Sequence, residues 1–404
     1  MLAFLKAALY YKAMQFFNRI TKSLNPQEIS QILTQEFPRA MDLGILFIST
    51  ANPQEAIHVI ESLQRKIQFR HLIGCSCAGI VGQNEEIEGR PSSSLLAGQL
   101  PGVTITPFKM NQTQLESLQM KEDWYQFFEI YPNEHPTFIA LPDPFMFDMN
   151  GFLQGLNEAY PQCAVVGGIA SGASRPGGNT LIYNQERLTE GVVGVVLQGN
   201  LRLETVVSQG CKPIGETFIV TKAEENVIYT LAGRPFVKVL EEVLDKASPA
   251  DRMLAQEAVF VGIAIDEYKH QLKRGDFLVR GVMGIDPESG AGAIVDYIKT
   301  GQTVQFHVRD AKSAREDLDE LLLGQRSKTA SQKPQGALVF CCNGRGQNLF
   351  HEENHDIKVI QQHLGPIPAA GFFCAGEIGP VGGSNFLHGF TNSIALFYDS
   401  TSSK

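Results

Sequence analysis

The chain has 404 residues, of which 43% are hydrophobic and 19% charged, and it carries a net charge of −9. That length can bury large cores without disulfide or metal staples and suggests two or three domains. The acidic balance argues against nucleic acid and against an anionic membrane surface, since each wants a basic face, while seven cysteines without framework spacing read as reduced thiols in a cytoplasm.

The first residues, Met1 to Tyr10, are apolar but interrupted by Lys6 and followed by Lys12. The stretch is too short and too charged to span a bilayer. It also lacks the basic start of a signal peptide. Residues 1–13 are therefore read as a dispensable extension, with a weak interfacial anchor as the alternative.

From there the pattern is strand-rich. Leu43–Ser49 is a buried-strand run. Helix signals follow from Pro53, with Ala56, Val59, Ile60 and Leu63 on one face. His71–Cys75 returns as a strand into a glycine loop, and Ser93–Leu100 and Val103–Phe108 read as two more strands. About 93 residues later the order recurs. Thr137–Leu141 is a strand, Phe152, Leu153 and Leu156 mark a helix, and Cys163–Val166 is a strand ending at Gly167-Gly168. Strands at Leu181–Tyr183, Val192–Leu197 and Leu203–Ser208 complete the copy. The aligned points are Gly74-Cys75 and Gly167-Gly168.

The middle predicts a strand from Ile219, a turn at Gly233-Arg-Pro235, and a helix through Val237, Leu240 and Val243. Strands follow at Ala258–Ala264, Phe277–Ile285, Gly292–Asp296 and Thr303–Val308. Asp310 is an N-cap for a helix carrying Ala314, Leu318, Leu321 and Leu322. Gln325–Gln335 is polar enough to read as an exposed loop. The closing unit again runs strand, helix, strand, glycine loop, strand. These elements predict an α+β fold of layered, mixed or antiparallel sheets flanked by helices, in two related halves with divergent internal repeats. The boundary is placed near residue 218, giving an extension (1–13), an N-terminal domain (14–218) and a C-terminal domain (219–404).

The candidate chemistry is sparse. His351-Glu-Glu-Asn-His355 matches the zinc-protease pattern, in which two histidines at i and i+4 share a helix face. Its intervening residues are polar, as is Asp356 after it, so the stretch is read as solvated residues preceding a helix, and no metal site is expected. Cys75-x-Cys77 has the wrong spacing for a zinc knuckle or a redox dithiol. Cys75, Cys77, Cys163 and Cys341 are read as core residues. Cys211 and Cys374 lie beside glycine motifs. A nucleophilic role would need a base or cation such as His388 or Lys212 nearby. No phosphate loop occurs, and Gly344-Arg-Gly346 lacks the third glycine of a dinucleotide loop.

What remains is a pocket's vocabulary around Gly344, Gly346, Gly371 and Gly376: Arg345, Glu377, Asn385 and His388. Arg280, Arg309 and Arg345 sit at or near strand ends, where a guanidinium can hold a carboxylate. For Arg309 the alternative to holding a ligand is a plain pairing with Asp310 or Asp286 at a sheet edge. Glu377, in an apolar glycine-rich loop, must be paired or lose its charge. It either binds a ligand ammonium or pairs with Arg345.

Several segments resemble the FIST family of sensory modules. They are Asp42-Leu-Gly-Ile-Leu-Phe-Ile-Ser49, Gly74-Cys-Ser-Cys-Ala-Gly79, Val166-Gly-Gly-Ile-Ala-Ser171, Ser208-Gln-Gly-Cys-Lys-Pro-Ile-Gly215, Phe277–Asp286, Val304–Asp310, Ala337–Gly346 and Pro368–Pro380. They occur in family order and span about Gln15 to Phe397. Members commonly begin near what is Met14 here, and keep a His-Asp-like pair where His355-Asp356 stands. The resemblance implies a cytoplasmic, FIST-N plus FIST-C module of signal transduction that binds a small, amino-acid-like ligand, with no catalytic residue and no cofactor. The ligand set is taken as Arg280, Arg345, Cys374, Glu377, Asn385, His388 and Cys211. The alternatives are an interaction adaptor acting through a separate signalling partner, and a thiol or hydrolase enzyme.

Overall fold

Three times along the chain a strand, a helix and a second, parallel strand recur, and each pair is flanked by an antiparallel strand. The computed structural model describes residues 13–25, 28–29, 38–50, 52–329 and 332–400, so the reading of the N-terminal extension lies outside the described residues but for Ala13.

The first repeat contains β1 (Gln15–Thr21), β2 (Ala40–Ser49), α1 (Pro53–Gln64), β3 (Gln68–Cys77), the short β4 (Gly79–Val81) and β5 (Glu86–Glu88), and β6 (Ser92–Gln99). The second contains β7 (Val103–Met110), α2 (Gln112–Ser117), α3 (Lys121–Phe128), β8 (Thr137–Pro142), α4 (Met149–Ala159), β9 (Val165–Gly168), β10 (Leu181–Tyr183), β11 (Glu186–Leu188) and β12 (Val192–Gly199). The third opens with β13 (Leu201–Gln209) and resumes after a long insertion. The insertion holds β14 (Cys211–Glu224), β15 (Val227–Leu231), β16 (Arg234–Pro235), α5 (Phe236–Lys246), α6 (Pro249–Glu257), β17 (Val259–Ala264), β18 (Phe277–Ile285), β19 (Gly292–Ile294) and β20 (Thr303–Arg309). Then come α7 (Ala311–Lys328), β21 (Gly336–Cys342), α8 (Gln347–Phe350), α9 (His355–Leu364), β22 (Ala369–Cys374), β23 (Glu377–Val381), β24 (Ser384–His388) and β25 (Thr391–Asp399).

The sheets exchange hairpins in a cycle. Their orders are β1-β6-β2-β3-β10-β11, β7-β12-β8-β9-β23-β24 and β13-β25-β21-β22-β4-β5. Each repeat thus builds four strands of its own sheet and receives a short hairpin from another repeat. The parallel pairs are β2–β3, β8–β9 and β21–β22.

The registers explain three glycines. Gly74 faces Leu46, Gly167 faces Ala140 and Gly371 faces Val339. A Cβ at these glycines would lie 2.0, 1.9 and 1.9 Å from the carbonyl oxygens of those partners. Only a residue without Cβ allows so close a backbone approach. The alignment of Gly74 with Gly167 is therefore structural, and Gly371 is the third copy.

Strand alternation sorts the side chains into layers. Leu43, Ile45 and Phe47 enter a core shared with Ile139, Leu141, Leu338, Phe340 and Phe372. Phe47 lies 4.7 Å from Phe372 and 6.3 Å from Phe340, ring centre to ring centre. The opposite faces meet the helices. Leu46 and Ile48 pack on Ala56, Val59 and Leu63 of α1. Phe138 and Ala140 pack on Phe152 and Leu156 of α4. Burial on both faces is why these strands read as continuous apolar runs. A fully buried Leu, Ile or Phe contributes about 1.5–3 kcal/mol. Asn52 caps α1 by accepting from Gln54 N, with Pro53 at the first turn.

Contacts divide the chain into two units. One comprises 1–207, 319–387 and 391–404, and the other 208–318 and 388–390. In sequence the second unit interrupts the third repeat. In that unit β14, β20, β17, β18, β19 and β15 follow one another, and a β14–β15 pairing closes them into a barrel. Phe218, Val261, Val304 and Phe306 fill its core with Phe236 and Val239 of α5. The fold is α+β, as the sequence predicts. Two details differ. Residues 249–257 form α6, unremarked in the sequence. The polar stretch from Gln325 is not a loop throughout, because α7 runs to Lys328 and Gln325 is buried.

Candidate functional site

Apolar β21 ends at Cys342, and the chain then turns through Gly346, at φ 60°, into the four-residue α8. His351 and Asn354 take left-handed conformations, at φ 52° and 61°, and α9 starts at His355. Of the two histidines of the zinc-protease pattern, His351 is therefore the left-handed residue that ends α8 and His355 the first residue of α9, so they share no helix face. Nor is the whole stretch solvated, since His355 and Asp356 are 2% and 1% exposed. The polar intervening residues disguised a buried helix start.

Asp356 is the hub of this place. Its Oδ2 accepts from Arg345 Nε at 2.7 Å, Asn392 Nδ2 at 3.0 Å and the Cys341 thiol at 3.4 Å. Its Oδ1 accepts from Arg345 Nη2 at 2.9 Å and contacts His355 Nδ1 at 2.9 Å. The His355 ring stacks on Phe350 at 3.5 Å. Burial alone would raise the Asp356 carboxyl, but Arg345 and the His355 hydrogen bond hold it well below the usual range. Arg345 itself is driven up, against its own desolvation, by Asp356.

Two more carboxyls are close enough to feel these charges. Glu86 arrives from the first repeat on the β4–β5 hairpin, and its Oε1 accepts from Ile357 N at 2.7 Å. Glu377 begins β23, and its Oε2 accepts from Thr391 N at 3.1 Å and Thr391 Oγ1 at 2.8 Å. Burial pushes each up to about 8, with Asp356 adding to the shift of Glu86. The Thr391 bonds and Arg345 pull Glu377 only partly back.

Polar atoms are left over here. Glu86 Oε2, Asn343 Oδ1, Arg345 Nη1, His355 Nε2, Glu377 Oε1 and Asn392 Oδ1 are buried and have no hydrogen-bond partner among the described residues. Buried polar groups are nearly always satisfied, so such a group calls for water or a ligand.

The sequence candidates are distributed as follows. Arg345 and Glu377 belong to this cluster, although the arginine pairs with Asp356 and not with Glu377. Cys374 is buried at the end of β22, its thiol raised first by burial and then by Glu377. Asn385 is committed locally, accepting from Val165 N at 2.8 Å and donating to Cys163 O at 2.9 Å and Asn157 Oδ1 at 2.8 Å. It pins the β23–β24 hairpin to the second repeat. His388 is buried at the end of β24 and opens the short segment that belongs to the second unit. Arg280 and Cys211 lie in the second unit. Arg280 donates through Nε to Asp296 at 2.6 Å, and Cys211 packs with Phe260, Val279 and Phe390. Arg309 lies over the Phe390 ring at 5.8 Å, with Nη2 lacking a partner among the described residues, while Asp310 accepts from Ser313 N and Asp286 from Ser289 N.

Sequence reasoning missed Glu86, Thr391 and Asn392. Glu86 lies 271 positions from its partner Ile357, in a three-residue strand, so no local pattern connects them. Among the described residues no group of three His, Cys, Asp or Glu side chains could hold a metal ion.

Comparison with known proteins gives the same frame as the motifs. The model of the FIST N domain matches residues 42–234, and that of the FIST C domain residues 237–380. An uncharacterized protein of Mycobacterium tuberculosis is 40% identical over 358 residues, 88% of this chain and 91% of the relative. Another, of Mycobacterium bovis, is 39% identical over 360 residues, 89% of this chain and 91% of the relative. Among solved structures, a cyanuric acid hydrolase from A. caulinodans covers 95% of this chain and 99% of its own at 8% identity, with a TM-score of 0.32, too low to carry an argument.

Proposed function

The chain belongs to the FIST family, and we propose that it is a sensory module of intracellular signalling whose small, amino-acid-like ligand is held by Arg345 and Glu377. FIST domains are associated with sensory ligand binding in signal transduction. The observation that carries the residue assignment is the set of unpartnered buried atoms. Arg345 Nη1 offers a cationic donor and Glu377 Oε1 an acceptor. A ligand carboxylate and a ligand ammonium would satisfy one each, at charged hydrogen bonds worth about 1.5–3 kcal/mol apiece.

The reading is non-catalytic. Burial raises the Cys75, Cys77, Cys341 and Cys374 thiols, so none is primed as a thiolate nucleophile. The test is calorimetric titration of the full chain with each proteinogenic amino acid. Glu377→Gln keeps the shape but removes the carboxyl, raised by burial to about 8, that a ligand ammonium would draw into its charged form, and it should weaken the best ligand at least about tenfold. No heat from any amino acid, or unaltered affinity in Glu377→Gln, would overturn the assignment. A thiol-reactive activity probe that labels the folded chain faster than the unfolded chain would overturn the non-catalytic reading.

A further inference from the structure

The threefold repeat lets one place be compared in three copies. Leu46, Ala140 and Val339 correspond through their glycine partners. Three positions further on, Ser49 corresponds to Asp143 and Cys342. Ser92, opposite Ser49, corresponds through the antiparallel partner strands to Gly191 and Thr391.

One copy keeps a buried carboxylate at this strand end. In the second repeat it is Asp143, which is 1% exposed. It accepts from Asn179 Nδ2 at 2.9 Å and from Phe145 N at 3.0 Å. In the third the corresponding residue is Cys342, opposite Thr391, which in turn donates to Glu377 of β23. In the first repeat the corresponding residue is a short serine, whose hydroxyl donates to Ala78 O at 3.2 Å. A crevice of about 420 Å³ opens there, lined by Ser49, Thr50, Cys77, Ala78, Arg90 and Gly172 among others.

The crevice lies beyond the carboxyl ends of the parallel strands β2 and β3, where open α/β sheets place their ligands. We propose that it is a second ligand site, taking a small organic monocarboxylate whose carboxylate stands where Asp143 stands in the second repeat. Arg90, exposed at the rim, supplies the charge. Cys77, Ala78 and Gly172 leave room for a short apolar body. The site does not draw on the helix terminus, because Asn52 already takes the Gln54 amide. Glu55, which accepts from the Thr50 hydroxyl at 2.6 Å, disfavours a second negative group on the ligand.

The site is independent of the amino-acid site proposed above, and the experiment separates them. Propionate is titrated into the full-length protein and followed by saturation-transfer NMR, with alanine and inorganic phosphate in parallel. Wild type and Glu377→Gln should bind propionate alike. Arg90→Gln, a surface change, should weaken binding at least about tenfold. Ser49→Asp, which supplies the carboxylate from within, should abolish propionate binding. Folding of each variant is checked by its melting curve, and Arg90→Gln decides the matter if Ser49→Asp does not fold. Absence of propionate binding up to about 100 mM (an affinity weaker than about 1.4 kcal/mol), phosphate binding as tightly, or unaltered binding in Arg90→Gln would overturn the proposal.

Discussion

Arg345 and Asp356, eleven residues apart and both fully buried, meet as a two-pronged ion pair, Nε to Oδ2 at 2.7 Å and Nη2 to Oδ1 at 2.9 Å. The pair ties the loop after β21 to the first turn of α9. Asn392 and Cys341 add the start of β25 and the end of β21. An acidic residue in the first turn of a helix is also favoured by the helix dipole.

Breaking this pair from one side should be costly. Arg345→Met leaves a buried carboxylate without its cation and should lose about 3–5 kcal/mol. Replacing both, as Arg345→Met with Asp356→Leu, should recover much of that loss. Urea denaturation of the single and double variants measures it, and a single-variant loss below about 1 kcal/mol would contradict the role of the pair.

Glu86 and Glu377 predict a pH dependence. Each keeps its proton in the folded chain up to about pH 8, against an ordinary 4.5. The unfolded chain therefore ionises first, the folded state binds more protons, and stability falls as pH rises toward 8. His71 and His307, depressed by burial, act in the opposite sense below 6.5. The clean window is pH 6.5 to 8, where each carboxyl contributes a slope of up to about 1.4 kcal/mol per pH unit. Stability measured across that window should fall in wild type and flatten in Glu86→Gln with Glu377→Gln. Parallel profiles for the two proteins would refute this.

The three strand glycines should behave alike. Gly74→Ala, Gly167→Ala and Gly371→Ala each drive a Cβ to about 2 Å from a backbone oxygen. Neither partner is a flexible side chain, so each should cost at least about 1–3 kcal/mol, the range of core overpacking. Thermal melts compare them with Gly284→Ala, where φ is not positive and nothing lies within 4 Å of the added Cβ. Wild-type melting in any of the three would contradict the register.

The histidine pattern should not confer zinc. His351 follows the end of α8 in a left-handed conformation while His355 starts α9, and His355 Nδ1 is engaged with Asp356. Elemental analysis of protein purified without chelator should find zinc far below one equivalent. One equivalent, lost in His351→Ala with His355→Ala, would overturn the reading.

The sequence by itself determined the elements whose signal is local. Leu43–Ser49, Thr137–Leu141 and Phe277–Ile285 read as strands because burial on one or both faces is written into consecutive residues. Asp310 read as a cap because its carboxylate must lie three residues before the amide it accepts, and it does accept from Ser313 N. Gly74 and Gly167 aligned because the same backbone collision excludes a side chain at both. The family, too, was legible, since its motifs lie in contiguous runs. Tertiary structure decided what depends on distant partners. The hairpins that the sheets exchange are short, mostly three to five residues a strand, too brief for a period to show, and their destinations are set by packing in another repeat. Arg345 had several acidic residues to choose from, and only the left-handed turns at His351 and Asn354 bring Asp356 to it. Glu377 found Thr391 instead of an arginine, because β23 leaves its own repeat to pair with β9 while β25 returns to the sheet it came from.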